Sequence, residues 1–208
     1  RVLALGLPAG LQNAIFAIAN LFVQAGVNSF DEIMVSGNSA ASNADTIIFN
    51  VLAAFYTACA TFTGQNLGAR NRKRVLHSYF ICLFYSTAAA LVLGILLKIF
   101  GRGFLSLFTS KEAVIDAGME RIGIMWFSFA VAPFMDCTIS ASRGIGKSLV
   151  PTIVVIIGSC VFRVIWVYTI FAYFHKIPSL YLLYIFSWFI TAAAEIIYFI
   201  HSYRKITF

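Results

Sequence analysis

The chain has 208 residues, of which 61% are hydrophobic and 11% are charged, and its formal net charge is +7. This composition argues against a water-soluble helical domain, whose helices would need polar faces that repeat at the helical period. It also argues against a nucleic-acid-binding domain, which would carry its basic residues on one face of a soluble fold. Instead, nearly the whole chain is taken up by apolar stretches of about 20 residues or more, the length that crosses a bilayer as a helix.

We predict an all-α, polytopic membrane protein with six transmembrane helices and no separate soluble domain. The connection before the fourth helix is the longest, and its Thr109 and Ser110 predict a helix N-cap and a short surface helix from about residue 111. Pro133 lies inside the fourth helix and predicts a kink there. The spans are placed at about 3–29, 43–66, 75–99, 117–142, 149–174 and 180–202.

The basic residues predict the topology. A cluster at 70–74 follows the second helix, and Arg143, Lys147, Arg204 and Lys205 follow the fourth and sixth helices on the same side. Fewer basic residues lie on the opposite side, so the excess of Lys and Arg places both termini in the cytoplasm. We therefore expect a multi-pass protein of the plasma (cytoplasmic) membrane.

The first two helices each carry a polar stripe. At 100° per residue, the stripe side chains fall within about 80° on the first helix and about 60° on the second. Single residues of this kind commonly hydrogen-bond between helices, but two aligned stripes favour facing walls of a wet, substrate-binding cavity. The stripes are Asn13, Asn20, Gln24 and Asn28 on the first helix, and Thr46, Asn50, Thr57 and Thr61 on the second.

Ionisable residues inside the spans are candidates for binding a coupling ion. Asp136 and Glu195 lie in the fourth and sixth helices, and Asp45 opens the second. A lone intramembrane carboxylate can bind a cation or carry a proton, so Asp136, Asp45 and Glu195 are the candidate Na⁺ or H⁺ sites. Alternatively, Asp136 or Glu195 neutralises a basic group such as Arg163 or Arg143.

The sequence gives little support for disulfide bonds, a structural metal site or an enzymatic activity. The four cysteines lie in different spans without a Cys-x-x-Cys pair, which argues against a disulfide framework or a zinc site. Hydrolase signatures such as His-Glu-x-x-His and Gly-x-Ser-x-Gly do not occur. We expect no enzymatic activity, no cofactor and no metal beyond a possible Na⁺ at Asp136. Because the chain begins at Arg1, directly at a span, we expect it to be part of a longer protein.

Three runs of sequence resemble the multidrug and toxic compound extrusion (MATE) family of transporters. They are GLPAGLQNAIF at 6–16, ATFTGQNLGARNRKRV at 60–75 and SRGIGKSLVPTIV at 142–154. The most specific is GQNLGA at 64–69, which ends the second helix and leads into a basic loop as it does in that family. The resemblance implies one lobe of a twelve-helix transporter, in which this chain is the C-terminal six-helix lobe and the N-terminal lobe is missing.

The same resemblance implies cation-coupled antiport, in which an inward Na⁺ or H⁺ gradient exports drugs and other xenobiotics by alternating access. The implied partners are a small amphipathic or cationic substrate and the lipid bilayer, with no nucleic acid. Asp136 resembles an acid in the tenth helix of some members. The chain departs from the family in having no acid at 13–17 and in having Val51 where many members have proline.

Two other functions stay open at this point. A lipid-linked oligosaccharide flippase of the same superfamily would line its cavity with several arginines, whereas the sequence places only Arg163 deep in a span. A non-transporting membrane receptor or assembly partner would have no need of two polar stripes facing a cavity.

Overall fold

The computed structural model describes residues 2–206, so Arg1 of the predicted cytoplasmic terminus lies outside the described residues. The described chain is helical without strands and contains six helices long and apolar enough to cross a membrane, which confirms the predicted fold class. They are α1 (Val2–Val27), α2 (Glu32–Gly68), α3 (Arg72–Leu105), α4 (Glu112–Gly144), α5 (Leu149–Phe174) and α6 (Ile177–Arg204).

Helix α2 begins at Glu32, well before the predicted residue 43. Asp31 caps it, since a carboxylate oxygen of Asp31 accepts a hydrogen bond from the backbone N–H of Met34 at 2.8 Å. The polar residues at 36–43 lower the hydropathy of this segment and made it resemble a loop. In the helix Asn38 is buried against polar side chains of other helices, Arg121 and Tyr181, while Ser42 and Asn43 donate to backbone carbonyl oxygens of α2 itself.

The predicted surface helix near 111 and the fourth span form one continuous helix, α4. Thr109 does not cap this helix, although its hydroxyl accepts a hydrogen bond from the backbone N–H of Lys111 at 3.2 Å. The first turns of α4 are instead tied to the end of α3 by Arg102, whose guanidinium lies 2.5 Å from Glu112 and 2.6 Å from Asp116.

Helix α5 departs from regular α-helical hydrogen bonding. The α4 helix stays helical through Pro133, whereas α5 contains two π-helical stretches, Ile156–Val161 and Val167–Phe171. A π-helical stretch inserts an extra residue into the helical turn and interrupts the regular i to i−4 hydrogen bonding. Sequence periodicity gave no sign of these stretches.

The most buried helix is α4, which packs against α2, α3 and α6. Glycines allow α3 and α2 to approach α4 closely. A Cβ atom added at Gly94 of α3 would lie 2.4 Å from the Trp126 carbonyl oxygen of α4, and one at Gly37 of α2 would lie 2.7 Å from Ala117 of α4. Small residues at helix interfaces are typical of membrane proteins. The apolar core between α2, α4 and α6 contains Leu52, Phe129 and Leu183.

Helix α1 stands apart from this tight bundle. It packs mainly against α5 and touches α2 only slightly. The separation leaves an open space between α1 on one side and α2, α4 and α6 on the other, and that space is the candidate site.

Candidate functional site

The candidate site is a cavity of about 700 Å³ between the helices, open on one side. Five of the six helices contribute to it, all except α3. One part of its wall is aromatic and is formed by Phe16, Phe49, Tyr184 and Trp188. The polar part includes Gln12, Asn13, Asn20, Gln24, Asn38, Ser42, Asp45, Thr46, Asn50, Arg121, Asp136 and Arg163.

Most residues of the two predicted polar stripes reach this cavity. Asn13, Asn20 and Gln24 of α1 line it, as do Thr46 and Asn50 of α2. The amide of Gln24 donates a hydrogen bond to the side chain of Asn28 at 2.8 Å, which links the last stripe residue, just beyond the end of α1, to the lining.

Thr57 and Thr61 are not among the lining residues of the cavity. Both side chains are exposed, and their hydroxyls donate to the carbonyl oxygens of Ala53 and Thr57 on their own helix, each at 2.9 Å. Thr57 lies two helical turns beyond Asn50, about 10 Å further along the axis of α2. The α2 stripe therefore runs on past the end of the cavity.

A polar network of α2, α4 and α6 forms part of the cavity lining. Arg121 of α4 pairs with Asp45 of α2 and also donates a hydrogen bond to the side-chain oxygen of Asn38. The hydroxyl of Tyr181 on α6 donates to the same Asn38 oxygen at 2.8 Å, and the Arg121 guanidinium lies 5.3 Å from the centre of the Tyr181 ring. Asp45 is therefore a neutralised carboxylate, and sequence reasoning missed its partner.

Asp136, by contrast, lines the cavity without an ion-pair partner. Among the described residues, ion pairs within 4.0 Å are formed only by Arg102 and Arg121. The alternative interpretation, in which Asp136 pairs directly with Arg143 or Arg163, is thus not the arrangement observed. Its carboxylate still lies within electrostatic range of both guanidinium groups.

Glu195 has a different environment from Asp136. It is completely buried on α6, and neither carboxylate oxygen has a hydrogen-bond partner within residues 2–206. It is absent from the cavity lining. An ionised carboxylate without partners is costly in such a place, so Glu195 is a group that can hold a proton more readily than a hydrated cation. Arg143 of α4 does not contact Glu195 and donates instead to the Gln12 side chain of α1 at 2.7 Å.

Arg163 of α5 is the most buried cation of the cavity, with 2% of its surface exposed. Its Nη1 donates to the side-chain oxygen of Asn20 at 2.9 Å, and its Nε has no hydrogen-bond partner. The guanidinium lies 4.6 Å from the ring centre of Tyr184, 5.3 Å from that of Phe16 and 5.9 Å from that of Trp188. These aromatic contacts could not be predicted from the sequence because they join three different helices.

The sequence matches the MatE family model over residues 8–169, most of its length. The chain belongs to the MatE family. It is 30% identical over 128 residues to the probable multidrug resistance protein YpnP of Bacillus subtilis. It is also 24% identical over 166 residues to the probable multidrug resistance protein NorM of Thermotoga maritima. The alignments cover 62% and 76% of this chain but only 28% and 34% of those relatives.

Solved transporters share the fold of this MatE chain. A MOP superfamily transporter from Pyrococcus furiosus superposes with a TM-score of 0.89 at 19% identity, covering 99% of this chain and 47% of that one. The Vibrio cholerae MATE transporter VcmN superposes with a TM-score of 0.88 at 17% identity. This chain therefore spans about half the length of these transporters. Membership of a transporter family confirms that the chain is a multi-pass membrane protein and not an enzyme.

Proposed function

We propose that this MatE chain forms one six-helix lobe of a cation-coupled antiporter that exports small amphipathic molecules by alternating access. The observation that carries the proposal is the polar cavity of about 700 Å³ with an unpaired carboxylate, Asp136, in its wall. Polar and ionisable groups inside a membrane bundle are costly and are characteristic of substrate and ion pathways. A second lobe, preceding this one in the sequence, would close the open side of the cavity.

In this proposal Asp136 binds the coupling cation, either H⁺ or Na⁺. An ion bound there neutralises the carboxylate and changes the relative stability of the inward-open and outward-open states. A cationic group on the substrate would compete with the coupling ion for the same carboxylate. This competition makes the two ligands mutually exclusive, which is the condition for exchange in opposite directions. Glu195, buried nearby without a partner, is the alternative proton site.

The apolar part of the substrate would bind along the aromatic wall. Phe16, Phe49, Tyr184 and Trp188 offer ring faces and edges that can stack on or bury an organic molecule. Adaptable aromatic contacts of this kind favour amphipathic compounds of varied shape over one rigid substrate. We place the transporter in the plasma membrane with both termini in the cytoplasm, as the basic loops indicate.

A lipid-linked oligosaccharide flippase is the second candidate. Its support is that Arg121, as well as Arg163, lines the cavity. However, Arg121 is neutralised by Asp45. Only one unpaired guanidinium is then available in the lining, whereas a pyrophosphate group would be bound best by several. The antiporter is the better fit to the cavity.

The test is gradient-driven transport by the full-length protein that contains this chain, reconstituted in liposomes. A panel of labelled amphipathic compounds would be exposed to an imposed pH gradient or an imposed Na⁺ gradient. We expect uphill movement of at least one compound, abolished by the ionophore that collapses the effective gradient. Transport of the compounds at a rate that neither gradient changes, or gradient-independent flipping of a lipid-linked sugar, would refute cation-coupled antiport.

A further inference from the structure

We propose that the outer surface between α2 and α3 binds one anionic glycerophospholipid, whose phosphate contacts Lys111 and whose acyl chain lies between the two helices. The site is at the end of the bundle where α2 begins and α3 ends, away from the basic cluster at 70–74. The inference goes beyond the proposed transport function and does not depend on it.

The first argument is an apolar groove of about 260 Å³, the α2–α3 groove. On α3 its lining runs from Leu93 to Phe104, which is about 16 Å along the axis at the rise of a helix. That length is about half of the 30 Å hydrocarbon thickness of a bilayer, so the groove matches one acyl chain of one leaflet. The lining includes Ala44, Ile47 and Ile48 of α2 and Leu96, Phe100 and Phe104 of α3.

The α2–α3 groove is separate from the central cavity. At 100° per residue, the groove residues and the cavity residues of α2 are centred about 170° apart around the helix. Ile47, Leu96 and Phe100 of the groove are exposed at the surface of the bundle. A second lobe that closes the open side of the cavity would therefore leave the groove on the opposite side of α2, where lipid reaches it.

The second argument is that a polar pocket of about 430 Å³, the headgroup pocket, continues the groove at the end of α3. Asn43 of the pocket precedes Ile47 of the groove by one turn of α2, and the rings of Phe104 and Phe108 lie 5.3 Å apart across the junction. An apolar groove that ends in a polar pocket complements a molecule with an acyl chain and a polar head. The pocket also contains Ser36, Ser39, Thr109 and Lys111.

The third argument is the unpaired charge of Lys111. The two acids that follow it on α4, Glu112 and Asp116, are both paired with Arg102, at 2.5 Å and 2.6 Å. Within the part of the chain that the structure describes, no ion pair within 4.0 Å involves Lys111, and no acidic residue lines the headgroup pocket. The ammonium group of Lys111 is therefore available to a phosphate.

Hydroxyl groups complete the headgroup pocket. The side chains of Ser36 and Ser39 make no hydrogen bond to another described residue, so both hydroxyls can donate to phosphate oxygens. The Thr109 hydroxyl accepts from the backbone N–H of Lys111 at 3.2 Å and keeps its own proton for another acceptor. A zwitterionic headgroup would bring a second ammonium group close to Lys111, whereas phosphatidylglycerol would not. The pocket therefore favours an anionic lipid.

The experiment is photo-crosslinking in nanodiscs that contain the full-length protein and mostly phosphatidylcholine. A phosphatidylglycerol with a diazirine in its acyl chain is added as a minor component, and a phosphatidylcholine with the same chains is the comparison probe. Mass spectrometry identifies the labelled peptides. On the unsubstituted protein we expect the phosphatidylglycerol probe to label the α2 and α3 peptides of the groove about tenfold more than the comparison probe does, the scale of a charge-assisted hydrogen bond.

One substitution tests the headgroup pocket. Lys111→Gln should lower labelling of the groove by the phosphatidylglycerol probe about tenfold and leave labelling by the phosphatidylcholine probe unchanged. Lys176→Gln is the matched control. Like Lys111, Lys176 is an exposed residue directly before a helix, but it lies outside the headgroup pocket, so its substitution should leave both probes unaffected.

A second substitution tests the groove. Leu96→Trp fills the groove with a larger side chain and should reduce labelling of the α2 peptide that contains Ile47. Ile95→Trp is the control on the same helix, because Ile95 is 44% exposed and Leu96 is 45% exposed, but only Leu96 lines the groove. Labelling in the Ile95→Trp protein should remain at the level of the unsubstituted protein.

The proposal fails if the two probes label the groove equally on the unsubstituted protein, because the groove would then hold only ordinary surrounding lipid. Absence of labelling in the groove would also overturn it, since another part of the full-length protein would then cover this surface. Neither result depends on whether a variant folds. Among folded variants, equal labelling of Lys111→Gln and Lys176→Gln proteins would refute the role of Lys111. None of these results bears on gradient-driven transport.

Discussion

Arg121, which is buried, and Asp45, which is partly buried, form an ion pair that joins α4 to α2 across a sequence separation of 76 residues. The pair lies in the cavity lining, and the Arg121 guanidinium also binds Asn38. This contact divides the candidate acids by environment. Asp45 already has a cationic partner, whereas Asp136 faces the same cavity without one.

The ion pair predicts a specific pattern of stability. Asp45→Asn leaves Arg121 buried without its counter-charge and should destabilise the protein by about 3 kcal/mol. The double variant Asp45→Asn with Arg121→Gln removes both charges and should recover much of that loss. Thermal unfolding of the purified protein in detergent measures both. Equal destabilisation in the single and the double variant would contradict a direct pairing.

Helix packing can be tested at two glycines of α3. Gly94→Ala places a Cβ atom 2.4 Å from the Trp126 carbonyl oxygen of α4, and we expect a loss of about 2 kcal/mol. Gly103→Ala is the control on the same helix, because no atom lies within 4 Å of its added Cβ. That change should stabilise the protein by about 0.5–1 kcal/mol through helix propensity. Similar unfolding temperatures for the two variants would be inconsistent with the close α3–α4 contact.

Topology can be tested with cysteine labels in intact cells. Asn71 precedes α3 and Ser179 lies in the first turn of α6, which the basic loops place on opposite sides of the membrane. A membrane-impermeant maleimide should label Ser179→Cys from outside and Asn71→Cys only after permeabilisation. The background should be low, because the four native cysteines are buried. Labelling of both positions from outside would overturn the predicted topology.

Hydropathy was sufficient to predict the six helices, because a membrane helix needs a long apolar run and little else. It failed at residues 32–42, a polar stretch of α2 in which Asn38 is buried among protein partners and Ser42 lines the cavity. The polar stripe of α1 was predictable from helical periodicity alone. Periodicity could not reveal where the cavity ends, so Thr57 and Thr61 were grouped with Asn50 although they lie beyond its lining.

Contacts between side chains on different helices were the other feature that could not be predicted from the sequence. No local pattern in the sequence indicates that Arg121 contacts Asp45, Asn38 and Tyr181. The aromatic surroundings of Arg163 come from α1 and α6, far from it in the chain. Such contacts depend on the relative rotation and register of packed helices, which hydrophobic patterning does not determine.

In the proposed mechanism Asp136 couples a cation gradient to transport, and the most direct measurement of that role is gradient-driven efflux by Asp136→Asn in the full-length protein. The amide keeps the size and hydrogen bonding of the side chain but cannot exchange a proton or supply a negative charge to Na⁺. Membrane abundance would be measured on the same cells, with Glu195→Gln as a parallel variant. We predict normal abundance and loss of gradient-driven efflux for Asp136→Asn. Normal abundance with normal efflux would contradict the account and move the coupling site to Glu195 or to another part of the transporter.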